Sequence, residues 1–184
     1  MPLNGKRVQN GYIRHNGKLC DSRRERGESL HLCAIRGVTW MRVYLDNCCY
    51  NRPFDDQNQL KIAIESAAKF AIQSQMRSGT LEYVWSDELD VEVGDCQFLD
   101  RQEKILPWRD GATVHVAITS EIEARAIELM QVGIKSADAL RLACAESAEC
   151  DWFFTTDRGI LKKVHNIGLM RVANPTAYIQ EDMI

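Results

Sequence analysis

Three observations predict an α/β fold, a three-layer α/β/α sandwich around a central, mainly parallel sheet. The first is the stretch Met41-Arg-Val-Tyr-Leu-Asp46. There a short, strand-favouring run (Val43, Tyr44, Leu45) stops at an acid and is followed by the turn and helix-start residues Asn47, Asn51, Pro53, Asp55 and Asp56. The second is Trp152-Phe-Phe-Thr-Thr156, another aromatic and β-branched run that ends at an acid, Asp157. The third is the alternation of such runs with amphipathic segments of helical length, which builds a parallel sheet from strand–helix crossovers.

The 184-residue chain is 45% hydrophobic and 27% charged, a balance that suits one soluble globular domain with a sizeable core. No apolar run approaches a membrane span, and the N-terminus lacks an apolar core followed by a small-residue cleavage site. Seven cysteines (20, 33, 48, 49, 96, 144, 150) make an odd count without a Cys-x-x-Cys pair. That pattern speaks against a disulfide framework or structural zinc, and a reducing cytoplasmic location is expected. Charge is uneven: residues 1–40 carry a net +5 and residues 41–184 a net −8. Nucleic-acid affinity in the acidic body therefore requires a local basic patch or bound cations.

Residues 1–39 carry glycines at 5, 11, 17, 27 and 37 around a charged cluster, Asp21–Arg26, and show neither helical nor strand periodicity. They are expected to be a basic, disordered N-terminal extension or the result of a start placed too early, with the folded domain over 40–184. From about Asn58 to Arg77, Leu60, Ala63/Ile64, Ala67/Ala68, Ala71 and Met76 recur at helical spacing. Glu65 and Lys69 pair at i,i+4 on the outer face of that helix, and Gly79 stops it. Leu81–Trp85 reads as a second strand, ending at Ser86. Asp87, Glu88, Asp90 and Glu92 fall on the first turns of the next helix, and residues 96–106 form a short helix halted by Pro107. Ser120-Glu-Ile-Glu123 has the form of a capping box and opens a helix through Met130 that ends at Gly133. Another helix starts near Ser136, as N-cap, and runs through Ser147. After the strand at Trp152 come a short helix over Arg158–Lys163, a last strand over Leu169–Val172 and a closing turn or helix from Pro175.

Asp46 and Asp157 directly follow strands, Asp138 lies in the first turn of a helix, and Glu92 lies early in the helix after the second strand. In a parallel sheet these places open toward one edge, where ligands bind. Clustered carboxylates repel one another and are costly to bury unpaired, and the usual resolution is a hard divalent cation, Mg2+ or Mn2+. Such an ion orients a water, lowers its pKa and stabilises a leaving oxygen, so the expected chemistry is metal-assisted hydrolysis. Each acid also has a plain structural explanation. Asp138 can complement a helix dipole, Asp157 can cap the helix after it, and Glu92, like Glu88 and Asp87, can lie on a solvated face. Asp46, directly after a buried strand, resists that explanation most.

The set Tyr44-Leu-Asp46-Asn47, Ser86-x5-Glu92, Lys135-Ser-Ala-Asp138-Ala-Leu and Phe154-Thr-Thr-Asp157 resembles the PIN-domain family, whose members include the VapC-type ribonuclease toxins of toxin–antitoxin pairs. The resemblance covers about residues 41–175. It implies a metal-dependent endoribonuclease that hydrolyses phosphodiester bonds of single-stranded RNA. Asp46, Glu92, Asp138 and Asp157 are then the catalytic residues and the ligands of Mg2+ or Mn2+. It further implies a toxin held by an antitoxin protein, and it leaves room for a homodimer. Thr155 matches a polar position that supports the site, whereas Arg141 stands where many members have histidine. Glu88 lies one helical turn before Glu92, and the spacing to Ser86 selects Glu92 as the second acid. The other function class is a non-hydrolytic PIN-like module that binds RNA or a protein.

Overall fold

In a computed structural model the chain divides into two units, Met1–Thr39 and Trp40–Ile184. The structure describes residues 12–15, 18–21 and 41–182. In the first unit β1 (Tyr12–His15) and β2 (Lys18–Asp21) pair antiparallel, with Tyr12 opposite Asp21 and His15 opposite Lys18. What was expected of the other residues of 1–39 lies outside the described residues.

The second unit contains β3 (Arg42–Leu45), β4 (Glu82–Ser86), β5 (Val114–Val116), β6 (Trp152–Phe154), β7 (Asn166–Ile167) and β8 (Met170–Ala173). They form one sheet in the order β5-β4-β3-β6-β8-β7, parallel throughout except for the antiparallel edge strand β7. On one side α2 (Leu60–Ser78) packs against α9 (Pro175–Asp182). Another group holds α3 (Asp87–Gly94), α6 (Ser120–Gln131) and α7 (Ser136–Ser147). The result is the expected α/β/α sandwich. No described helix is long and apolar enough to cross a membrane.

A strand covered on both faces has no polar side to show, which explains the continuous apolar runs. Val43, Tyr44 and Leu45 are buried, and the rings of Tyr44 and Phe153 stack across neighbouring strands with centroids 5.2 Å apart. From β3 the chain builds outward through β4 to β5, then returns to lay β6 and β8 on the other side of β3. The ends of β3 and β6 therefore flank the place where strand order reverses, and ligands collect at such a switch point. The Asp46 N–H donates to Phe154 O across it at 2.9 Å.

Several local expectations change. α2 begins at Leu60 and ends at Gly79, which takes the left-handed φ of 70°. Its inward face is rotated from the expected one: Leu60 is 76% exposed and Ile64 50%, while Ala68 and Met76 of the expected stripe are buried together with Ile72, Glu65, Lys69 and Gln73. Glu65 does not pair outward with Lys69. It meets Arg52 Nε at 3.0 Å and accepts from Asn174 Nδ2 at 2.8 Å, partners that make its burial tolerable. β5 is a strand with no counterpart in the sequence reading, because three residues carry no periodicity. Pro107 does not merely halt α4 (Leu99–Ile105). It opens α5 (Pro107–Asp110) from a first-turn position where its missing N–H costs nothing. Thr119 rather than Ser120 caps α6, accepting from the Ile122 N–H. Ser136 is the first residue of α7 rather than its cap, and Lys135 at the cap offers no side-chain bond.

Candidate functional site

Asp46 stands between β3 and α1 (Asn47–Asn51), a helix-capping place, yet its carboxylate does not cap. Its Oδ2 accepts from Thr155 Oγ1 at 2.7 Å and from Cys48 Sγ at 3.1 Å. Its Oδ1 faces Arg141 Nε at 2.9 Å, outside hydrogen-bond geometry. The Asp46 residue is 1% exposed. Thr155 also accepts from the Asp157 N–H at 3.0 Å, so one hydroxyl ties the ends of β3 and β6 together.

Ser86 closes β4 and caps α3. Its Oγ accepts from the Leu89 N–H at 3.4 Å and lies 2.6 Å from Tyr44 Oη. That anchor sets the phase of α3 and brings Glu92 to the switch point, where Arg141 Nη1 donates to it. Glu88 feels the Arg141 charge from one turn away, but among the described residues it forms no ion pair with it. Geometry thus brings in Glu92 of the two acids. The remaining acids of α3 do more than face solvent, since Asp87 accepts from the Ile118 N–H at 3.2 Å and Asp90 from Trp85 Nε1 at 2.9 Å.

Asp138, in the first turn of α7, accepts from Arg141 Nη2 one turn further on. A single buried guanidinium therefore touches carboxylates from three elements: Asp46, Glu92 and Asp138. Asp157 is not on it. Its Oδ1 accepts from the Gly159 N–H at 2.5 Å and caps α8 (Arg158–Leu161), as the plain structural explanation supposed. Its charge still reaches Asp138. Burial raises the carboxyl pKa values of Glu92 and Asp138; Arg141 opposes that shift and the charge of Asp46 adds to it. Burial also works against the Arg141 charge, but Asp46, Glu92 and Asp138 outweigh it and the pKa rises. Sequence reasoning missed this hub. The available signal was a lone arginine three residues after Asp138, on the same helix face.

Carboxylate oxygens are the donors that Mg2+ and Mn2+ take. Arg141 stands at their meeting point, and among the described residues no three His, Cys, Asp or Glu side chains form a metal-holding group by themselves. In charge and chemistry the donor set fits a divalent cation. Three carboxylates exceed the charge of one guanidinium, and Asp46 Oδ1 is a buried oxygen without a hydrogen bond. A cation takes that position only where Arg141 moves aside.

No protein-family model matches the chain, and no curated protein matches it.

Proposed function

We propose that the chain is a Mg2+- or Mn2+-dependent endoribonuclease of the PIN-domain kind, cutting phosphodiester bonds of single-stranded RNA and serving as the toxin of a toxin–antitoxin pair. The observation that carries the proposal is the meeting of Asp46, Glu92 and Asp138, from three elements, at the switch point of a parallel sheet. These three would hold the ion, with Asp157 beside Asp138. When bound, the ion supplies charge neutralisation and water activation. The protein's own part is positional: Thr155 fixes the rotamer of Asp46, and Ser86 sets the phase of α3 and so the reach of Glu92. The partners of this reading are RNA, an antitoxin and a second copy of the chain.

Arg141 favours a second reading. A guanidinium that already satisfies three acids makes a structural hub, as suits a non-hydrolytic module that binds RNA or protein. Incubation of end-labelled single-stranded RNA with Mn2+, with EDTA, and with the Asp46→Asn variant separates the two. The nuclease reading expects cleavage that EDTA abolishes and Asp46→Asn lowers at least ~100-fold. RNA that the parent protein binds but leaves intact with Mn2+ would overturn the nuclease reading and favour the binding module.

A further inference from the structure

Away from the acid cluster, α1, α2, α4 and α5 enclose a cavity of about 410 Å³, within the usual ligand-pocket range of about 300–1,000 Å³. Its described lining holds Lys69, Arg77 and Lys104 and no carboxylate, although residues 41–184 carry a net −8. The buried polar stripe of α2 forms part of its wall. Lys69 and Gln73 are 5% and 4% exposed, and Tyr50, from α1, is 1% exposed. Among the described residues Gln73 Nε2 and Tyr50 Oη have no hydrogen-bond partner, and Lys69 has no carboxylate within ion-pair distance. Burying donors without acceptors is expensive, and two on one wall, beside an ammonium that no carboxylate pairs, call for an acceptor from outside the protein. Burial lowers the Lys69 pKa to about 8, which leaves it mostly protonated at neutral pH.

The remaining wall is aromatic and already suited to cations. The Arg77 guanidinium lies 4.5 Å from the Trp108 ring centroid, and Lys104 Nζ lies 5.3 Å from that of Phe54. Flat rings flanked by positive charge are how single-stranded nucleic acid is gripped without sequence preference. We infer that this cavity binds a nucleotide unit, with the phosphate on Lys69, Gln73 and Tyr50 and the base against Trp108 and Phe54. Tyr50 stands one helical turn after Asp46. The unit is either a free nucleotide or one residue of an RNA strand, and the inference does not depend on cleavage.

The test is binding in EDTA at low salt, using a labelled 2′-O-methyl RNA hexamer by anisotropy and adenosine and uridine monophosphates by calorimetry. Lys69→Met is expected to weaken binding by about tenfold or more. The pair Arg77→Gln and Lys104→Gln, at exposed positions that do not endanger the fold, is expected to do the same and to flatten the salt dependence. A hexamer bound about tenfold tighter than the mononucleotides assigns the cavity to a strand, and equal affinities assign it to free nucleotides. The inference is overturned if neither ligand binds, if both folded variants bind like the parent, or if inorganic phosphate binds as tightly as the nucleotides.

Discussion

Arg141 keeps its charge against burial because Asp46, Glu92 and Asp138 surround it, and the three acids in turn depend on that one cation. Removing the guanidinium leaves three carboxylates facing one another in a confined space. Arg141→Gln is therefore expected to cost about 3–5 kcal/mol of stability in EDTA, the usual loss when one partner of a buried ion pair is deleted. Urea unfolding measures it. Millimolar Mn2+ should return much of the loss as RT ln(1 + [L]/Kd), and the parent should gain less because the ion must first displace the guanidinium. Equal Mn2+ shifts in the two proteins would remove the ion from this position.

At the scale of elements, helix phase is decided by caps and by partners. In α6 the buried residues Ile122, Ala126 and Leu129 follow i, i+4, i+7, so one face is clear whichever residue caps the helix. The cap itself lies one residue earlier than the Ser120-Glu-Ile-Glu123 pattern suggests, because Thr119 accepts from the Ile122 N–H at 3.4 Å. Thr119→Ala should cost about 1 kcal/mol, and Ser120→Ala should stay within about 0.5 kcal/mol of the parent. Chemical denaturation of the two variants compares them directly, and the opposite ranking would restore the capping box. In α2 two stripes meet the helical spacing, and the one bearing Glu65, Lys69 and Gln73 goes inward. The sequence made the helix legible there, but its periodicity put Glu65 and Lys69 on the outer face, which the fold turns inward.

For the molecule as a whole, buried titratable groups tie stability to pH with opposite signs. Burial raises the thiol pKa of Cys144 to about 11 and pushes that of Cys150 up as well. Their stabilising contribution is complete below the unfolded thiol value of about 8.5 and is lost as pH rises through the folded values. Lys69 behaves in reverse. Its folded value of about 8 lies below its ordinary 10.5, so its cost is present below pH 8 and is relieved as pH climbs toward 10.5. Lys69→Met removes only the second effect. It should be more stable than the parent at pH 7 by up to about 3 kcal/mol, with the advantage fading by pH 10.5. Urea midpoints at pH 7, 8.5 and 10 follow it; an advantage that stays constant with pH would mean that methionine gains through packing alone.

The sequence by itself determined the strand ends at Leu45 and Ser86, the start of β6 at Trp152, the glycine stop after α2, and the placing of four acids after strands and in early helix turns. These features rest on interactions within a few residues, which local patterns record. Tertiary structure alone decided which face of α2 is buried, since the partners of Glu65 include Asn174, 109 positions away. It also decided that β5 joins the sheet, that Asp157 spends an oxygen on its own helix, and that Arg141 fills the centre of the acids. The cationic cavity belongs to the same class, because its donors come from helices that the chain brings together only on folding. Burial and charge balance are set by whichever groups arrive from distant segments, and no local pattern encodes that arrival.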